Sequence, residues 1–478
     1  MLEETFEFDV IVVGTGPGGI GIALKAADCG LKVLTIEKNE LGGTCVNAGC
    51  VPSKGLCYMS HLADQLSDCE ELETYGISAP KPTLNYPQML KKIENAQDYH
   101  RNLVLKLFQE RKITHVFGTA EILKPHHVKV IHRETKETRQ YSARFICLAC
   151  GSKPSLLPLA PVDPDFVYTS DTLDSVKSVP ESITIVGAGA IGLEYGSVFS
   201  RLGSKVVFID AFGSIGGNLD AEISHYQQIY MESKGITFHL NSKIENIEIN
   251  RENRTVMTTF SSESNGRENV QTSIIFLCVG RTVHSDWLPS EIQRTNKGMI
   301  YVDSNFETTM KGVFAIGDAI DGPKIAHKAE WEAICLVNYL ANNTPVPSRD
   351  SVCLPCVIYT QPELAAVGPS EQALKAAGTP YTTHLLAFNS IGRDTTQTKS
   401  EGRCKIITSP LFHQGVVEDV IVAVHYWSAS AGDLVAEAIL AVENRIPLEF
   451  FGNVPHAHPL FKSLRFMHKV DLYSTSLQ

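Results

Sequence analysis

The 478-residue sequence has no apolar run approaching the roughly 20 residues that a membrane-spanning helix needs, so no membrane span is expected. It also has no excess of positive charge. The formal net charge is -11, which argues against a protein built to grip nucleic-acid phosphates. The opening residues, MLEETFEFD, lack both a basic stretch before an apolar one and an Arg-rich pattern. A secretory signal is therefore not expected there. The expected location is the cytoplasm, or the mitochondrial matrix if a presequence has been removed. The twelve cysteines are scattered through a long chain rather than packed into a small framework, which suits a reducing compartment. The apolar content of 43 % and charged content of 20 % are those of an ordinary globular protein. The chain is too long for one core, so two to four domains are expected.

Two segments share one layout. Residues 9–19 read D-V-I-V-V-G-T-G-P-G-G, an apolar strand running into Gly14, Gly16 and Gly19, with a helix after them. A second strand, L-K-V-L-T-I-E, ends at Glu37. Residues 183–192 read I-T-I-V-G-A-G-A-I-G and place Gly187, Gly189 and Gly192 in the same way, before the strand S-K-V-V-F-I-D ending at Asp210. Glu37 stands 23 positions after Gly14, and Asp210 stands 23 after Gly187. The first glycine of such a unit makes the tight turn, the second admits a pyrophosphate, and the third lets the helix pack closely. The acid takes the ribose hydroxyls, and the helix N-terminus favours the phosphates. One glycine motif alone would be a common strand–turn–helix. Two copies with equally spaced acids point to two dinucleotide sites. Asp210 would repel a 2′-phosphate, and A-F-G-S-I-G-G-N-L-D after it offers no cation, so NAD is expected over NADP.

Residues 42–54, G-G-T-C-V-N-A-G-C-V-P-S-K, set Cys45 and Cys50 close together. Such a pair can be a metal clip, a structural staple or a redox switch. Two other cysteine pairs, Cys147/Cys150 and Cys353/Cys356, have two-residue spacing. The first lies on a strand, where alternation sends the two thiols to opposite faces. The second precedes an apolar strand. Both are read as core or boundary cysteines. His126, His127 and His132 are read as surface residues, and residues 83–111 as a helix with apolar positions at Met89, Ile93 and Leu103–Leu107. No metal site is expected: His456 and His458 have no third ligand at helical spacing.

In this order the motifs resemble those of the flavin-dependent pyridine nucleotide–disulfide oxidoreductases, most of all the dihydrolipoamide dehydrogenase branch. F-A-I-G-D at 314–318, G-P-K-I-A-H-K-A-E at 322–330, I-Y-T-Q-P-E at 358–363 and P-H-A-H-P at 455–459 extend the resemblance almost end to end. It implies FAD on Gly14, Gly16, Gly19, Glu37, Lys54, Gly317 and Asp318, and NAD on Gly187, Gly189, Gly192, Asp210 and Gly280. Cys45 and Cys50 would then be a redox-active disulfide, Cys50 facing the flavin and Cys45 exchanging with substrate sulfur. A zinc site would want a second ligand pair, and a staple across so short a loop gains little entropy. Lys54 and Glu194 would pair beside the flavin.

The implied fold is α/β. Two Rossmann-like domains bind FAD (1–152, continued at 282–352) and NAD (153–281), and a C-terminal α+β dimerisation domain spans 353–478. The implied reaction passes electrons between dihydrolipoamide and NAD through FAD and the disulfide. The implied assembly is a homodimer, with a lipoyl-carrying acyltransferase as a candidate partner. His458 would serve as base for the substrate thiol of the other subunit. The pattern departs at one point. Ser463 stands where the family has the glutamate that orients this histidine, and Leu460 replaces a threonine. Two alternatives follow: an NADH-driven reductase of another disulfide, a quinone or a metal ion, and a weakened homologue kept as a binding subunit. A mercuric reductase would carry a C-terminal cysteine pair, which D-L-Y-S-T-S-L-Q lacks.

Overall fold

A computed structural model describes residues 5–160, 163–262, 266–349, 352–388, 402–413 and 416–455. The chain begins with β1 (Phe8–Val13), α1 (Pro17–Asp28) and β2 (Val33–Glu37). The cysteine segment follows as α2 (Gly43–Asn47) and α3 (Cys50–Ser67), then α4 (Cys69–Thr74) and the long α5 (Tyr86–Glu110). The buried face of α5 is Tyr86, Ile93, Val104 and Phe108, a helical period. Leu103 and Leu105 are exposed, because Val104 and Phe108 hold the buried face. Strands β3 (Thr114–Lys124), β4 (His127–His132) and β5 (Thr138–Leu148) complete the unit. β3, β2, β1 and β5 lie parallel in that order, and β3–β4–β5 continues as an antiparallel meander. Val10, Ile11 and Val12 are wholly buried, as a strand covered on both faces must be. His126, expected on the surface, is half-buried at the turn before β4, with Nδ1 3.1 Å from the Ala143 carbonyl.

The next unit repeats this plan. After β6 (Ser152–Pro154) come β7 (Val167–Thr169), β8 (Ser182–Val186), α6 (Ala190–Arg201), β9 (Lys205–Ile209), α7 (Ala221–Ser233) and β10 (Thr237–His239). A meander of β11 (Ser242–Asn250), β12 (Thr255–Ser262) and β13 (Gly266–Thr272) precedes β14 (Ile274–Leu277). The parallel order is β10-β9-β8-β14-β7. β15 (Arg281–Val283) then pairs antiparallel with β6, so the expected boundaries at 152 and 281 both fall on one two-stranded ribbon. The chain returns to the first sheet with β16 (Val313–Ala315), parallel to β5, and α8 (Ala326–Asn342), which packs on α1.

The last unit holds an antiparallel sheet of β17 (Cys356–Ile358), β18 (Glu363–Val367), β19 (Thr382–Ala387), β20 (Gly402–His413) and β21 (Val416–Ser428), in the order β17-β18-β21-β20-β19. Helix α9 (Glu371–Ala377) lies between β18 and β19, and α10 (Ala431–Glu443) and α11 (Leu448–Asn453) follow β21. A buried ion cluster ties this unit to the second. Lys405 of β20, 1 % exposed, sets Nζ 3.0 Å from Asp220 Oδ1, 3.0 Å from Glu222 Oε2 and 2.5 Å from Glu371 Oε2. Asp220 also caps α7, accepting from the Glu222 N–H.

Candidate active site

The two glycine loops are built alike. Gly14 and Gly187 sit at φ +96° and +103°, where a side chain is strained; a Cβ would meet the Ala149 carbonyl oxygen at 2.4 Å and the Cys278 carbonyl oxygen at 2.5 Å. At Gly19 and Gly192 a Cβ would strike the oxygen of Gly14 at 1.9 Å and of Gly187 at 2.1 Å, so only glycine lets each helix close on its loop. Gly16 and Gly189 stand at the N-caps of α1 and α6. Nothing lies within 4 Å of a Cβ placed on Gly189, which leaves a free cradle of N–H groups at the helix end.

The acids face these loops. Glu37 is buried at the end of β2; its Oε2 accepts from Thr15 N and Thr15 Oγ1, both at 2.8 Å, and its Oε1 from Asn39 N at 2.9 Å. Asp210 repeats the arrangement, Oδ2 accepting from Ala188 N and Oδ1 from Phe212 N at 2.8 Å. A carboxylate accepts about four hydrogen bonds, so each keeps capacity for a ribose hydroxyl. Asp318 accepts from Ser152 Oγ at 2.6 Å, and Arg281 Nε donates to the same hydroxyl at 2.8 Å. Gly317 N donates to Glu332 Oε2 at 2.6 Å, while Lys328 Nζ donates to the Gly317 carbonyl at 3.0 Å and pairs with Glu332 at 3.0 Å. This buried pair on α8 fixes the turn that carries Asp318. Gly280 has φ +97° with open space around it.

The cysteine segment lies against the first loop. Gly42 N donates to the Thr15 carbonyl at 2.9 Å, and a Cβ on Gly43 would come within 2.6 Å of Gly16 Cα. From α5, Gln97 Nε2 donates to the Asn47 carbonyl and Arg101 Nη1 to Asn47 Oδ1. The reversal between α2 and α3 is made at Gly49, in a conformation of φ −134°, ψ −107°. Pro52 fills the first turn of α3, where its missing N–H costs nothing.

Cys45 and Cys50 are both thiols. A hydrogen bond from Cys45 is the largest influence on Cys50. Burial opposes it and Lys54 reinforces it, and the Cys50 thiol is lowered to about 7. Cys45 moves the other way, raised by the same hydrogen bond and by burial. Cys50 also begins α3, where free N–H groups favour a thiolate. One turn on, Lys54 Nζ lies 2.9 Å from both carboxylate oxygens of Glu194 on α6, which is 6 % exposed. Burial lowers the Lys54 ammonium, but Glu194 outweighs it, and the net shift is upward. Tyr359 completes the group: its N–H donates to Glu194 Oε1 at 3.1 Å, and its ring lies 4.7 Å from Lys54 Nζ.

The structure thus brings Cys45, Cys50, Lys54 and Glu194 together, and gathers Gly317 and Asp318 with Gly280's neighbour Arg281. His458 and Ser463 lie outside the described residues. Tyr359, Ser152, Arg281, Lys328 and Glu332 had been assigned no role. A lysine and glutamate at i, i+4 spacing in residues 328–332 was the available signal for one pair; nothing local marks the others. Cys147 is fully buried and Cys150 lies in the turn after β5, while Cys353 and Cys356 are half-buried.

Residues 8–333 match the pyridine nucleotide-disulphide oxidoreductase family, and residues 354–465 match its dimerisation domain. The chain belongs to this family. Dihydrolipoyl dehydrogenases, mitochondrial, from Rattus norvegicus and Homo sapiens are 35 % and 33 % identical to it, each over 96 % of this chain and 89 % of theirs. In fold it is similar to the HOCl-induced flavoprotein disulfide reductase RclA from Escherichia coli, seen as its Cu(II) complex, with a TM-score of 0.83 at 20 % identity over 98 % of this chain and 100 % of that one. The family is one of flavin-dependent disulfide oxidoreductases, and FAD and a nicotinamide dinucleotide are its cofactors. The open N–H cradle and the glycine contacts above fit such groups. Bound FAD would supply the two-electron relay between a thiol pair and a nicotinamide. Among the described residues no helix is long and apolar enough to cross a membrane, and no cluster is suited to a metal ion.

Proposed function

We propose that this protein oxidises dihydrolipoamide with NAD⁺ as a homodimer. The observation that carries the reading is the Cys45–Cys50 thiol pair, with Cys50 at about 7 beside the Lys54–Glu194 ion pair. In the disulfide form, a substrate thiolate attacks Cys45 sulfur and Cys50 leaves as the thiolate. Its low pKa makes it a good leaving group. The second substrate thiol then attacks the mixed disulfide, releasing lipoamide and the Cys45 thiol. Two electrons have reached the pair and pass on to NAD⁺, with one proton released. Lys54 holds positive charge beside Cys50. His458 of the other subunit takes the substrate proton. Gly14, Gly16, Gly19, Glu37, Gly317 and Asp318 hold FAD; Gly187, Gly189, Gly192, Asp210 and Gly280 hold NAD. The similarity to dihydrolipoyl dehydrogenases over nearly the whole chain supports the substrate class.

Ser463 favours a second reading, an NADH-driven reductase of another acceptor. A serine cannot stabilise an imidazolium by charge, and loss of a base's support removes part of its roughly 10²–10⁴-fold effect. Turnover of dihydrolipoamide with NAD⁺ by the FAD-loaded protein is to be compared with NADH-driven reduction of glutathione disulfide, a quinone and Cu(II). Slow dihydrolipoamide turnover that rises up to about 10²-fold in Ser463→Glu supports the first reading. No turnover in either form, with brisk reduction of one of the other acceptors, replaces it with the second.

A further inference from the structure

The helices that bring Lys54 to Glu194 enclose another polar site further along. On α3, Lys54, Cys57, His61 and Asp64 recur at three- and four-residue spacing, one face of a helix. On α6, Glu194 is followed by Ser197 and Arg201 on the same face. Where α7 passes, Asp64, Ser197, Ser200, Arg201 and Lys234 line an open pocket of about 110 Å³.

Arg201 is the unusual member. A guanidinium has five N–H donors. Among the described residues it donates one hydrogen bond, Nη2 to the Gln361 carbonyl at 3.3 Å, and makes no ion pair. Half-buried, and with no carboxylate at ion-pairing distance among the described residues, it is lowered by desolvation, with Cys57, the more distant Asp64 and Tyr230 opposing. Such a charge is costly to retain unless something pairs with it. The Ser197 and Ser200 side chains also make no hydrogen bond to described residues. One turn from Asp64, His61 Nδ1 is buried with no partner. The balance of formal charge at the pocket is two cations against Asp64 alone. The last turn of α6 favours a cation through the helix dipole, but that effect calls for no hydroxyl-lined pocket. The site is separate from the dinucleotide cradle: Gly189 and Arg201 are at opposite ends of the 12-residue α6, about 18 Å apart.

We propose that this pocket binds a small oxyanion, a carboxylate or phosphate group, on the Arg201 guanidinium, with Ser197 and Ser200 donating from α6 and Lys234 at the mouth. The planar fork matches two oxygens of either group, and charge-assisted bonds of this kind are the strong ones. An anion there gives Arg201 the ion-pair partner that it lacks among the described residues.

The test is thermal unfolding of the FAD-loaded protein against increasing inorganic phosphate, and separately acetate, at ionic strength held constant with chloride. A ligand that binds only the folded state raises Tm with concentration. The expected result is a rise with one or both anions beyond that with chloride, unaffected by saturating NADH. Phosphate alone would mark a phosphate-bearing ligand, and acetate a carboxylate. In Arg201→Gln the apparent affinity should fall at least tenfold, and in Ser197→Ala severalfold. If Arg201→Gln does not fold, Ser200→Ala combined with Lys234→Ala should show the loss. No rise over chloride, a rise abolished by NADH, or an unchanged response in the variants overturns the proposal.

Discussion

Removing the Cys45 thiol should return Cys50 to the ordinary thiol range. Cys50 stands at about 7 against an ordinary 9.0, and the Cys45 hydrogen bond is the largest influence lowering it. The difference is roughly 3 kcal/mol in favour of the thiolate, at about 1.4 kcal/mol per pH unit. In Cys45→Ala the donor is gone, and burial and Glu194 act against Lys54 and the Cys50 backbone N–H, so the titration midpoint should rise by up to about two pH units. In Cys45→Ser a hydroxyl still donates, and much of the lowering should persist. The assay is the pH dependence of iodoacetamide alkylation of the reduced, FAD-loaded protein, read at Cys50 by peptide mass spectrometry.

The midpoint is a better readout than one rate. At pH 7 about half of Cys50 is thiolate in the native pair, against roughly 1 % for a thiol at 9, about a 50-fold difference in reactive form. A more basic thiolate is intrinsically more nucleophilic, with a Brønsted coefficient of about 0.4–0.5, so nearly tenfold of that is recovered. The net slowing at pH 7 is only about fivefold, and above about pH 8 the order reverses. A midpoint that stays near 7 in Cys45→Ala would refute the reasoning and assign the lowered pKa to Lys54 and the start of α3. A midpoint equally high in Cys45→Ser would show that packing of the sulfur, not its hydrogen bond, is responsible.

NADH should reduce the protein faster than NADPH by roughly fivefold to several hundredfold, the size of a charge penalty of about 1–4 kcal/mol; stopped-flow rates check this, and Asp210→Ala with an arginine introduced nearby should narrow the gap. Two-electron reduction of the native protein should produce a long-wavelength absorbance band from the Cys50 thiolate against oxidised flavin; Cys45→Ser should show the band without reduction and Cys50→Ser should lack it, and the reverse pattern would exchange the two roles. Lys405→Met should destabilise the fold by about 3–5 kcal/mol in chemical denaturation, because it leaves buried carboxylates unpaired. In the native protein, burial acts to raise the Asp220 carboxyl, but the Glu371 N–H and Lys405 outweigh it and hold it below the usual 3.8. A depressed acid contributes stability that is present above its unfolded value and lost as pH falls through the folded one, so the tie should persist through pH 4 and fail below it.

What was legible in the sequence was what repeats or stays local. Gly14 to Glu37 and Gly187 to Asp210 each lie within one strand–helix–strand unit, and there the turn chemistry dictates both residue type and spacing. In α5 the local pattern was less decisive: L-V-L-K-L at 103–107 is apolar but for Lys106, yet a helix buries only one face, and Val104 and Phe108 took it. His126 was misplaced because its burial depends on strand β5, 17 residues away. The tie at Lys405 was invisible for the same reason. Its partners Asp220 and Glu371 are 185 and 34 residues distant, and each alone reads as a surface charge.

Tyr359 shows what that blindness cost at the site itself. Lys54 belongs to the first unit, Glu194 to the second and Tyr359 to the third. One ion pair, one backbone N–H and one aromatic face join all three. Glu194 is nearly buried, so its charge is tolerable only while Lys54 and the Tyr359 N–H both stay in place. The ion pair therefore depends on domain packing as well as on the residues that form it. Lys405 is one of the groups that hold the second and third units in register. A change there can reach Lys54, and through it the charge beside Cys50, without touching either cysteine. Stability and the charge setting of Cys50 thus share contacts in this fold: whatever loosens the third unit from the second also removes the Tyr359 N–H and ring from the Lys54–Glu194 pair.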